Sequence, residues 1–244
     1  MMLINHKKKY IYIHIPKTAG ESIASILVDD GARRLGDKHN TINQVEKFVK
    51  SAKDYYIFSV VRNPFEQAVS FYEHLRKPLY KSYDELKSQY PEYDGLLYPK
   101  KECQSAMKLS FPDWCKAVYA ETNTCHWFHD YNCFLDFKTS SISQVNVFKF
   151  EEIFKLEKVL EVNFGIHEKL PRLNESKKSK NIKHYYDSKT LDIVTNNFSD
   201  SLQKFEYEFP NNLVIRNDTR PLHIRLLEPL KSIYNRCIKS CLSE

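Results

Sequence analysis

The 244-residue sequence predicts an α/β fold: a central, mostly parallel sheet flanked by helices. Three observations carry this expectation. Short runs rich in aromatic and β-branched residues alternate with stretches whose apolar residues recur at helical spacing. Two of those runs, over 10–15 and 55–61, are almost continuously apolar, as strands buried on both faces must be. Each run is followed at once by a polar loop and the start of a helix, the repeating unit of a layered α/β protein.

Tyr10-Ile11-Tyr12-Ile13-His14-Ile15 ends at Pro16 and reads as the first short buried strand. Lys17-Thr18-Ala19-Gly20 is then a tight loop. Ile23, Ile26 and Leu27 place a helix over 21–28, with Glu21 in its first turn, where the helix dipole favours an acid. Ile42, Val45, Phe48 and Val49 predict a helix over 40–53, and Tyr-Tyr-Ile-Phe-Ser-Val-Val over 55–61 is the second buried strand. Asn63 as N-cap and Pro64 at the first helical position open the next helix, whose apolar stripe is Phe65, Ala68, Val69, Tyr72 and Leu75.

Residues 77–101 lose this periodicity and carry Tyr80, Tyr83, Tyr90, Tyr93 and Tyr98, an elaborated loop region. Regularity returns with a strand over 144–150, a helix over 151–162 and a helix over 188–205 that aligns Leu191, Val194, Phe198, Leu202 and Phe205. A C-terminal helix is expected over 229–242. Cys237 and Cys241 share its face with Leu230, Ile233 and Ile238, as core residues would. No internal repeat or linker is visible, so a single domain over 1–244 is expected.

Composition narrows the class. With 42% hydrophobic residues, 16 Tyr and 15 Phe the chain has too much apolar surface to stay disordered, and 5 Gly exclude a collagen-like repeat. No apolar run approaches the ~20 residues of a membrane span, and the segment after Lys7-Lys8-Lys9 is too short for a signal-peptide core. A cytoplasmic protein with reduced cysteines is expected. Cys125, His126, His129 and Cys133 lack a C-x-x-C knuckle, so no metal site is expected; His14, inside a strand, reads as a core residue.

Two segments carry chemistry. A helix that begins directly after a strand is an anion site, because its unpaired backbone N–H groups and positive dipole end point the same way. Pro16-Lys17-Thr18-Ala19-Gly20-Glu21-Ser22 adds a lysine, two hydroxyls and a glycine at such a point, without the Walker spacing of nucleoside triphosphatases. After the second strand, Arg62-Asn63-Pro64 and then Ser70 supply a guanidinium that can fork onto a phosphate and a further hydroxyl donor.

Together these segments resemble the carbohydrate sulfotransferases that use 3′-phosphoadenosine 5′-phosphosulfate (PAPS). Lys17, Thr18, Ala19, Gly20 and Ser22 match the family's P-K-T-x-G-[TS]-S loop, and Arg62, Asn63, Pro64, Ser70 and Tyr72 match its R-[ND]-P-x-x-R-x-x-S-x-Y segment. Glu21 stands where the family commonly has Thr or Ser, and Gln67 where it commonly has Arg. Lys149-Phe150-Glu151-Glu152-Ile153, Leu170-Pro171-Arg172-Leu173-Asn174-Glu175-Ser176-Lys177 and Tyr185-Tyr186-Asp187 extend the likeness to R-F-E-x-L, L-P-x-x-N-x-S-x and Y-Y-D stretches.

The resemblance implies a P-loop-like sulfotransferase architecture and transfer of a sulfuryl group from PAPS, without a metal, to a hydroxyl of an acceptor such as a carbohydrate. Lys17, Thr18, Ala19, Gly20, Glu21 and Ser22 would line the 5′-phosphosulfate. Arg62 and Ser70 would hold the 3′-phosphate, and Lys177 and Lys178 would close over the nucleotide's 3′ side. Lys17 would act on the leaving oxygen, and His39, between the two motifs, would be the general base. Two other readings stay open: a nucleotide kinase, which wants Walker glycines and acidic magnesium ligands, and a non-catalytic glycan- or nucleic-acid-binding module, which fits the net charge of +6 but leaves both anion motifs unexplained. The family resemblance implies no nucleic-acid partner; acceptor identity and oligomeric state are not encoded in any motif.

Overall fold

The computed structural model describes residues 2–36, 41–49, 51–76, 106, 108–119, 129–135, 145–171 and 182–210. The expected tyrosine-rich region over 77–101 and the C-terminal helix over 229–242 lie outside them. The strands are β1 (Met2–Asn5), β2 (Tyr10–Ile13), β3 (Arg33–Leu35), β4 (Tyr56–Val61) and β5 (Asn146–Lys149). The helices are α1 (Gly20–Asp29), α2 (Val45–Phe48), α3 (Pro64–Arg76), α4 (Phe111–Tyr119), α5 (Asn132–Leu135), α6 (Ile153–Phe164), α7 (Ser188–Asn197) and α8 (Ser199–Lys204). The chain divides into two compact units: Met1–Gln67, Cys125–Glu175 and Asp200–Glu208 form the first, and Ala68–Thr124, Ser176–Ser199 and Phe209–Glu244 the second.

The first unit holds the sheet, in the order β3-β1-β2-β4-β5. β2 pairs with β4 and β4 with β5 in parallel, whereas β1 runs antiparallel to both β2 and β3, so four of the five strands point the same way. Successive residues of a strand face opposite sides, which explains the continuous apolar runs. Tyr10, Tyr12, Phe58 and Val60 pack with Ile23 and Leu27 of α1 and Leu156 and Leu160 of α6. On the other face Ile11, Ile13 and Ile57 meet Ile42, Val45, Val49 and Ala52.

The structure adds two strands that the sequence reading lacks. β1 is joined to β2 by a tight turn in which the Asn5 side-chain oxygen accepts from the amides of Lys7 (3.0 Å) and Lys8 (2.9 Å) and Lys9 takes a left-handed φ of 56°. β3 is three residues long with Arg33 and Arg34 exposed, charges that discourage another strand from adding to this edge.

Two expected helices are broken. Residues 40–53 give a 3-10 turn (Ile42–Gln44), the short α2 and a second 3-10 turn (Ala52–Asp54), because Val49 turns to extended backbone (φ −136°, ψ 107°). Of the apolar residues that suggested one helix, Ile42, Val45 and Val49 still reach the core from separate turns, whereas Phe48 is exposed. The stretch 188–205 splits into α7 and α8 at Phe198, whose φ of −112° and ψ of 24° leave the helical region while its ring is fully buried. α8 starts on a firm anchor: Asp130 accepts from the Ser201 amide (2.9 Å) and hydroxyl (2.7 Å).

In the second unit α4 packs on α7 around an aromatic core. Tyr72 meets Phe111 edge-on at 5.3 Å and Trp114 at 5.5 Å, and Phe111 meets Tyr185 at 5.3 Å. Such edge-to-face pairs add stabilisation beyond their buried area. Tyr185 donates its hydroxyl to Glu73 (2.8 Å), and burial together with that carboxylate pushes its phenol up to about 12. Asp187 caps α7 by accepting from the Thr190 amide at 2.7 Å. Burial alone would raise its pKa; the hydrogen bonds from Thr190 and the nearby Lys189 ammonium carry it below the ordinary carboxylate range.

Removing this cap in Asp187→Ala should cost about 1 kcal/mol near neutral pH. Because the folded carboxyl titrates below its unfolded value, its share of stability is present above pH ~4 and is lost as pH falls through the folded pKa. Urea melts at several pH values check this, with the gap between the two proteins closing in acid.

Candidate functional site

The parallel pairing of β2 with β4 sets Ile13 opposite Ser59, and the Ser59 hydroxyl donates to the Ile13 carbonyl at 2.7 Å. The loop after β2 and the segment after β4 therefore leave neighbouring strands at the same carboxyl edge, where open α/β sheets bind ligands.

In the first loop two non-glycine residues take left-handed backbone, Lys17 (φ 65°) and Ala19 (φ 64°). Each such residue costs on the order of 1 kcal/mol and persists only where its surroundings over-determine it. The surroundings here are hydrogen bonds to two successive carbonyls. The buried Thr18 hydroxyl donates to Ile15 O and the Gln67 amide to Pro16 O, both at 2.8 Å. Backbone alternating into left-handed conformation turns its N–H groups to one side, forming a concave anion-binding nest. The loop then runs directly into α1, whose N-cap residue Ala19 contributes no side-chain cap.

Gly20 and His14 define the floor of this loop. A Cβ added at Gly20 would lie 1.7 Å from His14 Nε2, so only glycine fits. His14 is 3% exposed and stacks on Tyr12 with ring centres 6.2 Å apart, which leaves it little room to retreat. Tyr12 is itself fully buried; burial drives its phenol pKa up, with the Thr18 hydroxyl lowering it and Glu21 raising it. Of the remaining loop residues, Lys17 is half-buried, Ser22 is buried, and Glu21 is exposed in the first turn of α1.

In the second segment Arg62 is held on three sides. Its guanidinium lies 4.8 Å above the Phe150 ring, its Nη2 donates to Glu66 Oε2 at 2.9 Å, and its carbonyl accepts from Tyr131 Oη at 2.6 Å. Its buried Nε has no acceptor among the described residues. Asn63 caps α3 by accepting from the Phe65 amide (3.1 Å), while its own backbone N–H donates to Glu151 Oε1 (2.8 Å). Glu151 also accepts from the Tyr207 hydroxyl (2.8 Å); burial first and this carboxylate second drive that phenol upward.

Among the residues singled out from sequence, the first unit contains 17–22 and Arg62. Ser70 lies on α3 within the second unit and is half-buried. His39, Lys177 and Lys178 lie outside the described residues. Among the described residues no group of three His, Cys, Asp or Glu side chains is placed to hold a metal ion. Sequence reasoning missed Glu66, Phe150, Glu151 and Gln67 as partners of the two motifs. Only Glu66 carried a local signal, its i+4 spacing from Arg62.

Gly20→Ala should disorganise the loop, because His14 is walled in by Tyr12 and must move with the backbone. A loss of about 1–3 kcal/mol, typical of overpacking, is expected in a thermal or urea melt, with a larger relative loss of anion binding.

A sequence model of the sulfotransferase family matches residues 1–213, which span both anion motifs and the Lys149-Phe150-Glu151 segment. No significant match to a curated protein or to a solved structure is found. No helix among the described residues is long and apolar enough to cross a membrane. With a five-stranded, mostly parallel sheet and two strand–loop–helix segments on adjacent strands, the chain belongs to the sulfotransferase family.

Proposed function

We propose that this protein transfers a sulfuryl group from PAPS to a hydroxyl of an acceptor, a carbohydrate being the class its motifs resemble, through a P-loop-like domain spanning 1–244 in the cytoplasm. The observation that carries the reading is the left-handed pair Lys17 and Ala19 ahead of α1, a built concavity of backbone N–H groups that suits a 5′-phosphosulfate. The Arg62 guanidinium, stacked on Phe150 with a buried Nε, suits the 3′-phosphate.

When bound, PAPS supplies the sulfuryl group and a nucleotide as leaving group. The protein's task is positioning and charge stabilisation. Thr18, Ala19, Gly20, Glu21 and Ser22 line the 5′ side, the backbone N–H groups and Ser22 donating. Arg62 and Ser70 hold the 3′ side, with Lys177 and Lys178 closing over it. Lys17 neutralises the charge that builds on the bridging oxygen as the sulfur–oxygen bond breaks. His39 takes the proton of the acceptor hydroxyl as its oxygen attacks sulfur. Lys17 and Arg62 supply the cationic charge, so this reading needs no metal ion.

Calorimetry with adenosine 3′,5′-bisphosphate and with ATP, each with and without Mg²⁺, tests the donor. Tight, Mg²⁺-independent binding of the bisphosphate is expected; a preference for ATP with Mg²⁺ would favour a kinase. Arg62→Ala should weaken bisphosphate binding by roughly 2–5 kcal/mol, since it removes a largely desolvated charge partner. Lys17→Ala should lower turnover by orders of magnitude, more than it lowers donor affinity, because the charge it meets is largest in the transition state. His39→Ala should bind the bisphosphate normally yet lose transfer, as read by labelled sulfate moving to a panel of glycan and alcohol acceptors.

A further inference from the structure

We infer that Gln67 is a positioning residue that presets the 16–20 loop for the 5′-phosphate end of the donor, an inference that rests on the donor reading above. Gln67 stands where the resembled family commonly carries arginine, and it is not a surface replacement. Its side chain is 1% exposed and its amide nitrogen donates to Pro16 O at 2.8 Å, from the first turn of α3 to the first residue of the loop.

The geometry of the peptide unit makes this bond consequential. The chain has no cis peptide among its described bonds, so the Pro16 carbonyl and the Lys17 N–H point in opposite directions. Holding that carbonyl on Gln67 therefore turns the Lys17 N–H away from α3. One residue earlier Thr18 donates to the Ile15 carbonyl and so fixes the plane of the Ile15–Pro16 peptide, which has no N–H to turn. With both acceptors committed to the protein side, the following backbone takes left-handed φ at Lys17 and Ala19 and enters α1. Gln67 accomplishes this without a charge, whereas an arginine there would add a cation beside the loop. The choice has a cost, because Gln67 Oε1 is buried with no partner among the described residues. A glutamine kept for packing alone would be better replaced by an apolar side chain, so the orphaned oxygen argues that the amide donor is what the position requires.

Three probes separate this role from general support of the fold. Adenosine 5′-monophosphate, adenosine 3′-monophosphate and adenosine 3′,5′-bisphosphate are titrated into the full chain and into Gln67→Leu, which keeps the bulk and removes the donor. The expected result is a loss of about tenfold, the worth of one buried hydrogen bond, for the two probes that carry a 5′-phosphate. Affinity for adenosine 3′-monophosphate should stay within about twofold of wild type. Equal weakening of all three probes, or no weakening of any, would overturn the inference. Should Gln67→Leu fail to fold, Gln67→Glu, which keeps the shape but offers the Pro16 carbonyl a second acceptor, carries the same comparison. A wild-type chain that binds none of the three would overturn the donor reading itself, a result distinct from a wild type that binds and a variant that does not discriminate.

Discussion

The parallel pairing of β2 with β4 is the constraint on which the candidate site depends. Tyr10 lies opposite Tyr56 and Ile13 opposite Ser59, so the two strands start level and run the same way, β4 going on past Ile13 to Val61, and both hand their chains to the same edge of the sheet. A parallel pair needs a long crossover, supplied here by the stretch holding α1, β3 and α2. Both faces of the pair are sealed, by α1 and α6 on one side and by the turns around Ile42 and Val45 on the other. A slip of one residue in this register would exchange the two faces and set Arg62 out of step with the loop after β2.

From that edge the two motifs are stiffened by different means. The loop after β2 is stiffened from beneath and behind: His14 packs against Gly20, and Thr18 and Gln67 occupy two successive carbonyls. Arg62 is stiffened by aromatic neighbours brought from distant sequence, Phe150 below its guanidinium and Tyr131 on its carbonyl, and by the local ion pair with Glu66. A guanidinium already stacked and paired loses less freedom when it meets an anion, and pre-organisation of this kind is what makes a charge-assisted fork effective. The ion pair with Glu66 already occupies one side of the Arg62 guanidinium, so any anion that met it would share it with a carboxylate.

The Lys149-Phe150-Glu151 segment shows how a structural strand end can serve a site. β5 is parallel to β4, with Lys149 beside Val61, so Phe150 and Glu151 emerge next to Arg62 and Asn63. Phe150 then carries the guanidinium, and Glu151 holds the backbone of Asn63 at the start of α3. The same carboxylate takes the Tyr207 hydroxyl, which ties the end of α8 and the residues after it to this corner of the sheet.

Much of this was legible in the sequence for physical reasons that act locally. Apolar periodicity located β2, β4, β5, α1, α3 and α6, because burial on one or two faces leaves a period in the residues themselves. The Asn63-Pro64 start of α3 and the strand–loop–helix chemistry around Lys17 and Arg62 are likewise short-range properties. Tertiary structure decided what local pattern could not. β1 carries no polar loop and helix start behind it and β3 is three residues with two exposed arginines, helix spacing over 40–53 and 188–205 did not show the turns to non-helical backbone at Val49 and Phe198, and Phe150, Glu151 and Gln67 became partners of the two motifs only through strand register. A sequence records which residues can donate, stack or carry charge. Which carbonyl Gln67 reaches, and which ring lies under Arg62, depends on contacts across dozens of residues that exist only once β2, β4 and β5 lie side by side.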